Sequence, residues 1–159
     1  MVNFSIYAKK NDMNIIFEIL YLLSVFYLLA LYFSLFRNVV SIRRETKKSL
    51  GYKDERLERA IRAYSNFCET VPFSLFISLI LYFNNYHFIC FLSSLTMCVG
   101  RRIHAKSISN MNEDLNKRRL GMKLTVSAYL LLIFGTLYYI GSIIYFYILS
   151  QTFSTTIIP

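Results

Sequence analysis

A chain of 159 residues that is 55% hydrophobic, only 17% charged and yet net +9 is explained by where its charges stand. Nine of the 18 Lys and Arg lie between Arg37 and Arg62 and seven between Arg101 and Lys123, which leaves 19–36, 70–100 and 124–159 free of Asp, Glu, Lys and Arg. A soluble helical bundle needs a polar face on each helix, and 70–100 and 124–149 have none. Nucleic-acid binding wants aromatics interleaved with the basic residues, whereas these cations gather at helix ends.

A bilayer core takes about 20 apolar residues per helix. The first uncharged stretch fits one span, the second two with a turn midway, and the third one span plus a tail. The expected architecture is all-α, an integral membrane four-helix bundle forming a single membrane domain over 1–159. Its helices fall at about 14–48, 56–83, 88–107 and 120–150.

Helix 1 can be capped by Asp12 or Asn14, with Glu18 in its first turn, and continues past the membrane through Arg43-Arg44 to Lys48. Gly51 and the polar run to Glu58 form the first loop. Helix 2 opens with Arg59-x-x-Arg62-x-x-x-Asn66-x-x-Glu69 and contains Pro72, which frees a backbone carbonyl four residues back. At about 100° per residue, Arg59, Arg62, Asn66 and Glu69 share an arc of about 80°. Ionisable groups held at membrane depth are costly and usually face a bundle interior or a wet cavity. The bland alternative is snorkelling of Arg59 and Arg62, with Glu69 paired to Arg62.

Asn84-Asn-Tyr-His87 makes an uncharged turn into helix 3. Near the end of that helix, Arg101 and His104 can face a common partner while Arg102 points elsewhere. Cations there also suit the helix dipole. Ser109–Asn116 reads as a polar loop, and Lys117-Arg118-Arg119-Leu120-Gly121 leads into helix 4. In that helix Gly135 and Gly141 are candidates for close helix approach, and its tyrosines are packing and interface anchors. The tail 151–159 is expected to fray. Cys68, Cys90 and Cys98 read as structural thiols, and no Cys/His spacing suggests a metal.

The loops after helices 1 and 3 carry 16 of the 18 basic residues, so the positive-inside rule places both in the cytoplasm and the termini outside. All candidate residues then meet at one end. Arg43 and Arg44 come from helix 1, Arg59, Arg62, Asn66 and Glu69 from helix 2, Arg101 and His104 from helix 3, and Arg118 and Arg119 from helix 4. Cationic helix ends around one carboxylate suit a small zwitterion with excess negative charge. Arginines would fork onto its carboxylates and Glu69 would receive its ammonium.

The run Arg59-x-x-Arg62-Ala-x-x-Asn66-x-x-Glu69-x-x-Pro72 resembles the signature of the MAPEG family, the membrane-associated proteins in eicosanoid and glutathione metabolism. Val40-Ser-Ile-Arg43-Arg44, Gly100-Arg101-x-x-His104 and Arg118-Arg119-x-Gly121-Met122 extend the resemblance over about residues 20–149. The pattern of the second half is more similar to the bacterial branch.

The resemblance implies a homotrimer with glutathione, as co-substrate, bound between subunits. Arg62, Asn66 and Glu69 would hold the tripeptide, helped by Arg44 and Arg101, and Arg118 or Arg119 would stabilise its thiolate. That thiolate would attack an apolar electrophile or reduce a lipid hydroperoxide in a bacterial inner membrane or an endoplasmic reticulum, with no metal. Thr70, His104 and Ile108 stand where eukaryotic synthases have tyrosines, so eicosanoid synthesis is not expected. Two other readings fit the chain: a non-catalytic lipid- or partner-binding protein of this type, separated by thiolate formation, and a small proton-coupled exporter resting on Glu69.

Overall fold

The computed structural model describes residues 2–47, 50–51 and 54–156, with side chains over 12–152 apart from those gaps. Four helices account for the architecture: α1 (Val2–Thr46), α2 (Glu55–Phe83), α3 (His87–Ile108) and α4 (Leu115–Thr156). No strand occurs among the described residues. The all-α membrane bundle expected from the uncharged stretches is what forms.

The helix ends follow local chemistry. Asp54 caps α2 by accepting from the Leu57 N–H at 3.1 Å, with Glu55 and Glu58 in the first turn, where acids complement the helix dipole. Asp114 caps α4 by accepting from the Asn116 and Lys117 N–H groups at 3.0 and 3.2 Å. The fourth helix therefore starts at Leu115, earlier than expected, and takes Asn116 out of the loop. Asp12 caps nothing, because α1 is already helical from Val2. The helix also runs further than expected at its other end, continuing to Thr156. Helix 2 runs unbroken through Pro72, and the expected end of helix 1 at Lys48 lies outside the described residues.

Helix 3 is the hub. It packs on α1, α2 and α4, whereas α1 and α4 do not touch among the described residues. Asp12–Thr46, Glu55–Phe83 and Leu115–Thr152 are long and apolar enough to cross a membrane, and α3 is not among them. Of the four transmembrane helices expected, α3 is the one whose composition alone does not mark it as a span. The 22 residues of α3 reach roughly 33 Å at 1.5 Å per residue, but His87, Arg101, Arg102, His104 and Lys106 dilute its apolar content. Its neighbours shield the polar groups: His87, Ser93, Ser94, Arg101, His104 and Ser107 are all buried. Large apolar side chains such as Phe26, Phe76, Phe134 and Tyr138 instead face outward, each more than half exposed, as lipid contact requires.

Hydroxyls tie the helices together away from the basic end. Tyr21 of α1 and Ser78 of α2 share a 2.7 Å hydrogen bond, Ser24 of α1 meets Ser94 of α3, and Ser93 donates to the Ala128 carbonyl of α4 at 3.0 Å. Glu18 sits well inside α1, where its carboxylate accepts from Tyr82 at 2.5 Å. Cys90 and Cys98 are buried free thiols that donate to the carbonyls of Ser78 and Ser24.

The tightest helix crossing does not use the glycines expected for it. A Cβ on Gly121 would lie 2.8 Å from both Cβ and N of His104, and one on Gly100 would lie 3.0 Å from the Gly121 carbonyl oxygen. These two glycines seat α3 against α4 near the basic end. Gly135 meets only side-chain tips of Leu81 and Ile89 at 3.0 Å, and Gly141 has nothing within 4 Å, which corrects its assignment to a close approach. Gly121→Ala is therefore expected to cost about 1–3 kcal/mol through overpacking. Gly141→Ala, on open helix, should be neutral or stabilise by up to about 1 kcal/mol. Thermal unfolding of the two variants in the same detergent checks the contrast.

Candidate functional site

The buried stripe of α2 runs Leu57, Ala60, Ala63, Phe67, Val71, Ser74, Ser78, Leu81. On a helix turning about 100° per residue, Arg62 and Glu69 lie nearly opposite that stripe, and Arg59 and Asn66 on its flanks. The burial agrees: Arg62 and Glu69 are exposed, while Arg59 and Asn66 are half-buried. The expected enclosure of Glu69 by four cationic helix ends is thus absent in the single chain, and its carboxylate faces outward. Neither Arg62 nor Glu69 has an ion pair among the described residues.

A polar cavity of about 380 Å³ opens at the basic end, lined by Glu55, Glu58, Arg59, Arg62, Asn66, Ile108, Glu113 and Arg118. It brings together three predicted α2 residues with the start of α4. It also corrects the expectation of a single acid among cations, since three glutamates share the lining. Arg59 is the most engaged of the cations. It pairs with Glu55 at 3.0 Å and Glu113 at 3.3 Å and donates to the carbonyls of Ile108 and Asn110 at 3.4 and 3.3 Å. Glu113 also accepts from Arg118 at 2.8 Å. One carboxylate therefore clasps the starts of α2 and α4 through the connecting loop.

Arg101 sits deeper, on the other side of α2's polar flank, and is 2% exposed. Its Nε and Nη2 both donate to Thr125 Oγ1, at 2.9 and 2.5 Å, and Nη1 reaches the Asn66 carbonyl and Thr70 Oγ1 at 3.3 Å each. The Thr70 and Thr125 hydroxyls in turn donate to the carbonyls of Asn66 and Gly121 at 2.7 and 2.9 Å. No carboxylate lies within ion-pair distance among the described residues. A buried cation is costly unless it is paired and hydrogen-bonded, and here its partners among the described residues are all neutral: the oxygens of α2 and α4 and, at 3.5 Å from Nη2, the Met122 sulfur.

The remaining candidates spread out. His104 is buried against α4; its Nδ1 lies 3.3 Å from the Arg118 carbonyl oxygen, and its Nε2 is buried with no partner. Arg101 and His104 thus both turn toward α4, as their spacing suggested, while Arg102 is exposed on another face. Arg119 lines a separate cavity of about 450 Å³ with Leu115, Arg118, Met122 and Lys123. Arg43 is half-buried and Arg44 exposed at the end of α1, and neither lines the polar cavity.

Sequence reasoning missed Thr125, which nothing but its position one helical turn after Gly121 marks. It also missed Glu113, for which a signal existed: Glu113-Asp114 is an acidic pair in an otherwise basic connection. Thr70 and Ile108 gain structural explanations, the first as a ligand of Arg101 and the second as a buried core residue.

The protein is a polytopic helical membrane protein with a polar cavity at its basic end. Its sequence matches the model of the MAPEG family over residues 21–138, and the chain belongs to that family. No individual curated protein and no solved structure matches it.

Two outcomes follow from this geometry. Thr125→Val removes the one acceptor that takes the two shortest hydrogen bonds of a buried guanidinium and should cost at least about 1–3 kcal/mol, read by thermal unfolding, while Thr125→Ser should largely preserve stability. The second concerns Glu113. Burial pushes its carboxyl up, but hydrogen bonding and charge from Arg118 and then Arg59 outweigh this and hold it below the ordinary carboxylate range. A depressed folded value means that the clasp stabilises fully above the unfolded value and is lost as pH falls through the folded one. Hydrogen-exchange protection of amides 109–114 should therefore drop from about pH 4 downward. In Glu113→Gln it should be several-fold weaker already at neutral pH, keeping only the acid sensitivity due to Asp114.

Proposed function

We propose that the chain is a glutathione-dependent membrane transferase or peroxidase that binds glutathione against the polar face of α2 and activates it as a thiolate. One observation carries the reading within the family: the polar cavity that joins Arg62 and Asn66 of α2 to Arg118 at the start of α4. Glutathione has two carboxylates, one ammonium and a thiol. A lining of three arginines, three glutamates and an amide offers forks for the carboxylates and acceptors for the ammonium.

Arg118 rather than Arg119 is the proposed thiolate partner, because Arg118 shares the cavity with Arg62 and Asn66 while Arg119 opens on another. A guanidinium beside a thiol lowers its pKa and raises its thiolate fraction. Glu113 holds Arg118 in place before the ligand arrives, and an incoming thiolate would compete with that carboxylate. The apolar electrophile or lipid hydroperoxide would come from the surrounding bilayer, so positioning and electrostatics are the protein's contribution.

The outward direction of Arg62 and Glu69 supports completion of the site by a second copy, as in a homotrimer. Two charges seeking partners on a lipid-facing surface are unfavourable; a neighbouring subunit's basic helix ends, Arg43 and Arg44 among them, would supply cations for Glu69, and the carboxylates of glutathione bound at the interface would meet Arg62. This arrangement uses Glu69 in ligand binding and leaves no need for a proton-coupled transport role.

Calorimetric titration of the detergent-purified protein with glutathione, with thiolate absorbance read in parallel, tests the proposal. Saturable binding is expected, weakened about tenfold to hundredfold in Glu69→Gln by loss of a charge-assisted hydrogen bond. Arg118→Ala should abolish the thiolate absorbance and Arg119→Ala should keep it. Absence of binding at millimolar glutathione overturns the proposal, and the reverse result for the two arginines reassigns the activating residue.

A further inference from the structure

We infer that the groove between α1 and α3 holds an anionic phospholipid, with an acyl chain along its apolar wall and the phosphate on Arg102 and Lys106. The groove is distinct from the polar cavity and shares no lining residue with it. Its larger part, about 530 Å³, is walled by Leu20, Leu23 and Tyr27 of α1 and Phe91, Leu95 and Val99 of α3, and ends at Arg102. A second cavity of about 220 Å³ continues toward the basic end between Leu31 and Leu35 of α1 and Ala105 of α3. Arg102 borders both, and Lys106 borders the second.

From Leu20 to Leu35 the groove follows α1 for roughly 22 Å at 1.5 Å per residue. One leaflet of a ~30 Å hydrocarbon core is about 15 Å deep, so the groove accommodates an acyl chain with its headgroup at the cationic end. Arg102 lies six residues before the end of α3 at Ile108, roughly 9 Å along the axis, a depth suited to the boundary between hydrocarbon and headgroups.

Charge decides the occupant. Arg102 and Lys106 are exposed, stand one helical turn apart as like charges that repel, and have no ion pair or hydrogen bond among the described residues. No acid lines either cavity. Two cations without counter-ions beside an apolar trough match a ligand with a phosphate on a hydrocarbon chain. Arg101 makes the contrast plain, because the adjacent residue is buried and hydrogen-bonded internally to neutral groups of α2 and α4. Membrane electrostatics favours anionic headgroups by roughly 30-fold for two such cations.

The chain contains no tryptophan, so a single introduced indole reports on one place. Leu95 is 42% exposed at the groove's rim, and Leu95→Trp puts the reporter beside the acyl site. Phe134→Trp, on the lipid-facing side of α4, is the control. Each variant is titrated in mixed micelles with brominated-acyl phosphatidylglycerol or brominated-acyl phosphatidylcholine.

Quenching of the Leu95→Trp variant is expected at roughly 30-fold lower mole fraction of phosphatidylglycerol than of phosphatidylcholine, with no such difference in Phe134→Trp. Adding Arg102→Ala/Lys106→Ala should erase the preference, and the charge-keeping Arg102→Lys/Lys106→Arg should restore it. Equal quenching by both lipids at position 95, a preference that survives loss of both cations, or an equal preference at position 134 overturns the inference. So does no quenching at position 95 by either lipid, the result expected if a second copy fills the groove with a carboxylate on Arg102.

Discussion

The structure depends on how one buried guanidinium is accommodated. Arg101 lies at the hub helix, is almost fully withdrawn from solvent, and finds no acid among the described residues. Its donors must be met, and they are met by Thr125 and the Met122 sulfur on α4 and by Thr70 and the Asn66 carbonyl on α2. That requirement fixes the register of three helices at one depth. It also holds the α2 backbone at Asn66, next to Arg62 and on the rim of the polar cavity. Tyr129 adds to the same lock by donating to the Thr70 carbonyl at 2.5 Å.

Such bonding needs α3 and α4 close together, and the Gly100–Gly121 crossing supplies the closeness. With a side chain at either glycine, His104 and Leu124 would be pushed aside, and Thr125, one turn beyond Gly121, would move off Arg101. Packing and electrostatics are therefore one constraint here: the glycines allow the approach, and the guanidinium uses it. The Glu113 clasp repeats the logic nearer the surface, where a shared carboxylate bridges Arg59 and Arg118 and sets the distance between α2 and α4.

How far the sequence reached follows from which forces have a local signature. Helix number and order were legible because uncharged stretches and basic ends are set by the bilayer. The α2 arc was legible because the helical period places Arg59, Arg62 and Asn66 on one side without reference to neighbours. What period cannot give is the direction of that side relative to the bundle, so Glu69 was expected inside and faces outward. Gly141 and Gly121 look alike in sequence, and only the neighbour's path distinguishes open space from a 2.8 Å approach. Thr125 is invisible for the same reason, since its importance belongs to Arg101.

Two adjacent arginines show how a thin helix serves two environments. A step of about 100° turns Arg101 toward α2 and α4, where the protein itself supplies the acceptors, and Arg102 toward the α1 groove, where the described residues supply none. The first is a fixed element of the fold whose charge holds Asn66 and the cavity rim. The second keeps its charge available at the edge of the hydrocarbon. The hub helix must then tolerate cations on two faces, which explains why it is not apolar enough to qualify as a span by composition and why the others surround it. A helix that carried only the first arginine would leave the α1 groove without its guanidinium. One that carried only the second would lack the internal lock on the site.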